Sequence, residues 1–474
     1  MGNAPSTPLG SCLDSAIGSS LLALPNKPLY QLTDVKPYNL DISVAPVAIT
    51  YPKTEDHVAA IIKCASSNGA KVQARSGGHS YGNHGESDGG GDKNTVVVDL
   101  KNFQQFTMDK DSWHAHIGAG NLLGDVTKKL LENGDRAMAH GTCPQVGIGG
   151  HATIGGLGPA SRMWGSALDH VVSARVVLAN STIITASPTQ YPDIFWALKG
   201  AGASFGIITE FEMITHPNPG EAIQYSYTFA TRPFAKLASR FKKWQDMIAD
   251  PGLSRKFASQ VVLTEVGMII SGTYFGSRDE FNALNLTSVF PDATTSDALV
   301  FDDWAGLVGH WGEDIALQLG GGISSAFYSK SLAFTAKDLI PSTSIDEFFT
   351  YLDKVDKATP IWFGIFDLEG GATNDVALDA TAYGHRDALF YFQSYGVNIG
   401  KLSKKTRDFV NGMDDVLVKG LGGKTLGAYA GYVDPALENA QERYWGGNLG
   451  RLREVKGRVD PGDVFHNPQS VPLP

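Results

Sequence analysis

Cysteine is scarce in this chain, with three in 474 residues, and charged residues make up only 19% of it. Three thiols are too few for a disulfide scaffold. A zinc site needs three or four Cys/His ligands at paired short spacings, and Cys143 has only His140 and His151 near it. A net charge of −10 without any basic stripe excludes nucleic acid as a partner, because binding a polyanion requires cations that replace its counterions. There is no run of about 18 apolar residues to span a membrane. The opening "MGNAPSTPLGSCLDSAIG" lacks the charged-then-apolar order of a signal peptide, as expected of a chain that begins at a mature N-terminus. No fixed period repeats, which excludes a solenoid. No coiled-coil seam is present, so a monomer is expected.

Glycine is abundant instead: 54 residues, largely clustered, against a usual share of about 7%. Such clusters mean tight turns and close backbone approaches. Hydrophobic content of 42% describes a folded globular protein, and the length predicts about two or three domains. "APVAITYP" (45–52) reads as a strand, and Thr54-Glu55-Asp56 opens a helix with Val58, Ile61, Ile62 and Ala65 on one face. "KVQAR" (71–75) then resumes as a strand, giving a right-handed β-α-β unit. Strands follow at 95–100 and 113–120, then a helix from Leu122 to Asn133, a hairpin over 169–187 turning at Asn180-Ser181, and a helix, glycine loop and strand over 193–213. From 215 to 412 the glycine clusters thin out, and alternating apolar stretches predict an antiparallel sheet backed by helices. Asn180 and Asn285 each begin an N-glycosylation triplet.

Cys143 heads the glycine run "HGTCPQVGIGGHATIGGLG" (140–158). Residues 147–152 match the dinucleotide pattern G-x-G-x-x-A, but Pro144 precedes them and no clean apolar strand does. A reactive thiol, a dinucleotide loop and a buried cysteine filling a turn all stay open on these residues alone. His79, in "SGGHSYG" (76–82), is the other glycine-flanked reactive side chain.

The pair "SGGHSYG" and "HGTCPQVGIGGH", some 60 residues apart, resembles the flavin-linking motifs of the vanillyl-alcohol oxidase and berberine bridge enzyme superfamily. "DIFWALKGAGASFGIITEFEM" (193–213), "AYAGYVD" (428–434) and "YWGGNLGRLREVKGRVDPGDVFHNPQSV" (444–471) extend the likeness over nearly the whole chain. Within that superfamily "GTC", "IFDLEGG", "AYGHRDALFYFQ" and "GYVD" look closest to the fungal glucooligosaccharide oxidases and related carbohydrate oxidases. The resemblance implies an α+β fold in which a split FAD-binding domain of the vanillyl-alcohol oxidase type, 1–214 completed by 413–474, carries an inserted substrate domain, 215–412, with a large antiparallel sheet backed by helices. It implies FAD held covalently through His79 at the 8α position and Cys143 at carbon 6, with glycine around the thiol so that the flat ring lies against the backbone. Ser76, Gly77, Gly78, Ser80, Tyr81, Gly141, Thr142, Gly147, Gly149, Gly150, His151, Gly155, Gly206 and Ile207 would line that cofactor.

By the same resemblance Tyr432, on a strand, takes the proton of a sugar's anomeric hydroxyl, assisted by Asp367, which would otherwise pass as a turn residue before Gly370. Tyr81, Thr142, Phe363, Ile365 and Gln393 join Tyr432 in the sugar pocket, Gln393 reading hydroxyls at the rim. A carboxylate beside a phenol raises the phenol's pKa, so Asp367 cannot hold Tyr432 as a resting phenolate and instead accepts its hydrogen as the sugar's arrives. The glucooligosaccharide oxidases have a glutamine where this chain has Ile365, and many family members an asparagine where it has Gly431. Cys12 and Cys64 can bridge and tie down the N-terminal end; the alternative is two buried thiols, and the resemblance supports the bridge. The implied activity is that of a secreted oxidase converting reducing mono- or oligosaccharides (cello-, malto-, xylo-, chito-oligosaccharide or lactose type) to lactones while reducing O2 to hydrogen peroxide. The alternatives are a berberine-bridge-like oxidase of a secondary metabolite, a carbohydrate dehydrogenase that reacts poorly with oxygen, and a non-catalytic binding protein on the same fold.

Overall fold

The structure, a computed structural model, describes residues 7–86, 94–319 and 322–474; the first six residues of the opening stretch lie outside it. The β-α-β unit forms around the helix Glu55–Ser67. Thr54 caps it by accepting the His57 N–H at 3.2 Å, and Glu55 and Asp56 place negative charge in its first turn. Its flanking strands, Ala48–Thr50 and Lys71–Arg75, are parallel but not adjacent: Thr95–Asp99 lies between them. That strand is buried at every position, so it takes the middle, where both faces are covered. A second sheet of five antiparallel strands runs in the order Phe106–Met108, His114–Gly118, Ile207–Ile214, Val171–Val177, Ile183–Ala186, and the last two make the expected hairpin. Asn180 lies exposed at its turn, and Asn285 is exposed as well.

Between residues 222 and 398 lies one seven-stranded antiparallel sheet: Thr295–Phe301, Ala222–Phe229, Gly267–Phe275, Gln260–Thr264, Ile361–Leu368, Ala388–Asn398 and Ala326–Thr335, in that order. One face packs on the helices Ala238–Ile248, Ser342–Lys354 and Lys404–Gly420, through Trp244, Phe348, Phe366, Phe392 and Phe409 among others. The other face is turned to the FAD-type half of the molecule. Burying this aromatic layer, at roughly 25 cal/mol per Å² of apolar surface, holds the sheet rigid behind the site.

Two large cores reflect the chain path. One gathers residues from 13 to 213 together with others from 382 to 471, and the second runs from Ile223 to Leu426. Position 412 therefore does not mark a boundary, because it falls inside the helix Lys404–Gly420, whose Met413 and Leu417 belong to the second core. Cys12 and Cys64 are joined in a disulfide with Cα atoms 5.7 Å apart, tying the helix Pro8–Ile17 to Glu55–Ser67.

Candidate active site

A cavity of about 520 Å³ opens between the free face of the seven-stranded sheet and the two glycine loops. Its wall carries Ser76, Gly77, Gly78, His79, Ser80 and Tyr81 from the first loop, Gly141, Thr142, Cys143, Gly147, Gly149, Gly150 and His151 from the second, and Gly206. Gly155 and Ile207 are not among these lining residues. Gly155, at φ +141°, turns toward the Tyr429 ring, and Ile207 is buried in its strand opposite Val177, leaving the wall to Ile208.

The glycines do something other than clear a path for a ring. A Cβ on Gly77 would lie 2.4 Å from the Gly147 nitrogen, so the two loops touch backbone to backbone. The Ser76 hydroxyl clamps them, donating to the Ala119 carbonyl at 2.6 Å and accepting from the Gly149 N–H at 3.4 Å. Gly150 differs: nothing lies within 4 Å of where its Cβ would be.

His79 stacks on Tyr38 with ring centroids 4.3 Å apart, and burial pulls its pKa down to about 4, so its imidazole is neutral at neutral pH. Cys143 is the one free cysteine, a thiol whose pKa burial raises, with its Sγ 3.2 Å from the Gln145 side-chain oxygen. The neighbouring histidines are occupied by the fold. His140 bonds Thr127 and the Gly141 carbonyl, while His151 accepts the Gly141 N–H through Nε2 and is neutral, its pKa pulled down to about 3 by burial.

Across the cavity stand Tyr432 and Asp367. Asp367 lies within the strand Ile361–Leu368, not in a turn, opposite Gln260 on one side and Tyr391 on the other. Tyr432 lies in a turn and not on a strand. The turn is closed by the Tyr432 N–H donating to the Tyr429 carbonyl at 3.0 Å, with the Tyr429 hydroxyl in turn accepting the Gly156 N–H at 2.8 Å. Gly431 belongs to this arrangement, because a Cβ there would lie 2.3 Å from the Tyr429 ring.

The Tyr432 hydroxyl donates to Asp367 Oδ2 at 3.4 Å. The Gln393 amide donates to the same oxygen and accepts from the Tyr395 hydroxyl, which sits 3.1 Å from that of Tyr81. Gln393 is therefore 5% exposed, with both ends of its amide engaged: it holds Asp367 and does not stand at the rim. Burial pushes the Asp367 carboxyl up to about 6, against the pull of Gln393 and Tyr432, and both burial and Asp367 raise Tyr432 well above the ordinary phenol range. Tyr432 rests protonated, donating to a carboxylate able to take its hydrogen.

Tyr38, Tyr395 and Glu369 also line the cavity and were not singled out from the sequence. Tyr395 was within reach, since period two along Ala388–Asn398 puts it on the same face as Gln393. Glu369 is 4% exposed, its Oε2 is unpartnered among the described residues, and burial together with Asp367 raises its pKa well above the ordinary carboxyl value.

Comparison with known proteins places this geometry. The chain is 41% identical to the FAD-linked oxidoreductase sorD of Penicillium rubens, covering 98% of each, and 34% identical to a xylooligosaccharide oxidase of Thermothelomyces thermophilus, covering 93% of this chain and 90% of that one. Residues 46–187 match the model of an FAD binding domain and 428–472 that of berberine and berberine-like proteins. The chain belongs to the berberine bridge enzyme superfamily of FAD-linked oxidases. Among solved structures of that superfamily, the glucooligosaccharide oxidase of Acremonium strictum superposes with a TM-score of 0.88 at 29% identity, covering 98% of this chain and 99% of that one; its flavin is described as a 6-S-cysteinyl, 8α-N1-histidyl FAD. FAD is the cofactor of this enzyme as well, and its residues fit that group: a neutral imidazole, a free thiol and the open face at Gly150 share one wall.

Proposed function

We propose that this enzyme oxidises the C1 hydroxyl of a reducing mono- or oligosaccharide to the lactone, with His79 bound to the 8α carbon of FAD and Cys143 to carbon 6. The observation that carries this reading is the Tyr432–Asp367 hydrogen bond in the same cavity as His79 and Cys143. Tyr432 accepts the proton of the substrate hydroxyl and passes its own to Asp367, so negative charge does not build up on the phenol oxygen. FAD, when bound, supplies the acceptor for the hydride leaving the same carbon, and O2 receives the electron pair as hydrogen peroxide. The aromatic faces of Tyr81 and Phe363 suit the C–H side of a pyranose. The Cys12–Cys64 bridge and exposed Asn180 and Asn285 support a secreted, glycosylated protein that meets its substrate outside the cell.

Peroxide and aldonate measured with glucose, lactose, cellobiose, xylobiose and chitobiose test the reading, with Tyr432→Phe expected to abolish both. If neither glucose nor any of the four disaccharides yields peroxide, or if Tyr432→Phe retains full activity, the reading falls. A second reading, oxidation of a secondary metabolite, is favoured by Ile365 and by the engagement of Gln393, which together leave little to read hydroxyls beyond the first ring.

A further inference from the structure

The sheet face that lines the cavity through Gln260, Asp367, Ile365, Gln393, Phe363 and Tyr395 changes composition in rows. Strand register sets Ser271, Gln260, Asp367 and Tyr391 side by side. Two residues further along each strand, the same face presents Ile269, Val262, Ile365 and Gln393. Another step brings Phe363 opposite Tyr395, and one more brings Ile361 opposite Val397, which itself faces Phe327. Two residues span roughly 7 Å of strand, so the floor passes from polar to apolar within the length of one sugar ring from Asp367.

The polar groups in the apolar stretch are already committed. Gln393 is bonded at both ends, and Tyr395 donates to it. Val262, Phe363 and Ile365 form a cluster of their own, with Ile269, Tyr395 and Val397 against it. On the opposite side of Asp367 the floor is polar: Gln224 accepts from Thr273 and Trp311 through its Oε1, and Gln260 donates to Ser271 through its Nε2. A second pyranose lying over Ile365 and Phe363 would lose the water around the hydroxyls that face the floor and gain no partner from the floor for them.

We propose that the position next to the reacting ring is an apolar subsite for an alkyl or aryl group. This rests on the reading that the Tyr432–Asp367 end takes the reacting hydroxyl. Two kinds of substrate share the required chemistry: a reducing sugar carrying an apolar substituent at its far end, and a wholly non-saccharide alcohol with an apolar body. Ile365 is the residue that sets the preference. It occupies the row between the base and the aromatic step and is 5% exposed, so its side chain is close-packed floor.

The test uses the FAD-loaded enzyme carrying Tyr432→Phe to halt turnover, with dissociation constants measured by calorimetry for glucose, 4-O-butylglucose, cellobiose and 4-butylbenzyl alcohol. Each buried methylene tightens binding about fourfold at most. The butyl ether is expected to bind at least about 10-fold more tightly than cellobiose, and adding Ile365→Gln should reduce that ratio at least about fivefold. Val397→Asn, further along the same face, should move the ratio in the same direction and covers the case in which Ile365→Gln fails to fold. Cellobiose binding as tightly as the butyl ether would overturn the subsite, as would a ratio unmoved by the substitutions. If the butylbenzyl alcohol binds tightly while the enzyme with Tyr432 intact oxidises no sugar, the subsite stands and the saccharide reading falls. If that enzyme oxidises sugars but cellobiose is preferred, the reverse holds.

Discussion

Replacing Asp367 by Asn separates chemistry from stability. The Asp367 carboxyl titrates at about 6, against an ordinary 3.8, because burial outweighs the hydrogen bonds from Gln393 and Tyr432. Only its ionised form can take the Tyr432 proton, so flavin reduction should fall about tenfold per unit as pH drops below 6 and level off above it. Stability moves the other way. The folded state binds the Asp367 proton more tightly than the unfolded chain does. Its contribution is therefore fully present below about pH 4 and is lost as pH rises through about 6. Two units correspond to about 3 kcal/mol. Asp367→Asn carries no charge at any pH, so it should be more stable than the parent by up to about 3 kcal/mol near pH 8 and no more stable near pH 4. Its flavin reduction should be about 10²- to 10⁴-fold slower and lose the pH dependence. Anaerobic stopped-flow of flavin absorbance across this range, with thermal unfolding at both ends, measures all of these effects. An unchanged reduction rate in Asp367→Asn, together with a parent profile flat below pH 7, would refute the role given to Asp367.

Gln393→Leu removes a donor to the carboxylate, so the acid limb of the same profile should move upward from about 6, by roughly one unit. Gly431→Ala places a methyl group against the Tyr429 ring and should cost about 1 to 3 kcal/mol while lowering kcat through displacement of Tyr432, as read by thermal unfolding and steady-state turnover. Cys64→Ser opens a bridge spanning 52 residues and should destabilise the protein by about 4 kcal/mol in the chain-entropy picture, seen as a lower midpoint in urea.

Local patterning carried the sequence reading well where one element decides its own shape. The helix after Thr54, the 169–187 hairpin and the antiparallel sheet after residue 215 all follow from capping and periodicity. It carried less where two distant segments meet. "AYAGYVD" alternates like a strand, yet the packing of Tyr429 beneath Gly431 bends it into a turn. Gln393 looks like a free amide until strand register sets it beside the Asp367 strand. From the sequence, the glycines of the two loops suggest room for a flat ring, but at Gly77 and Gly147 they answer to each other's backbone. His79 and Cys143 were legible only as a motif pair, because nothing in the residues around either one, taken alone, distinguishes it from a loop histidine or a buried thiol.

Peptide mass spectrometry of the purified yellow protein addresses the flavin attachment itself. One FAD joined to both the peptide containing His79 and the peptide containing Cys143 is expected, with His79→Ala and Cys143→Ser each leaving a single link. Both peptides at their unmodified masses, with all the flavin released by acid, would contradict it.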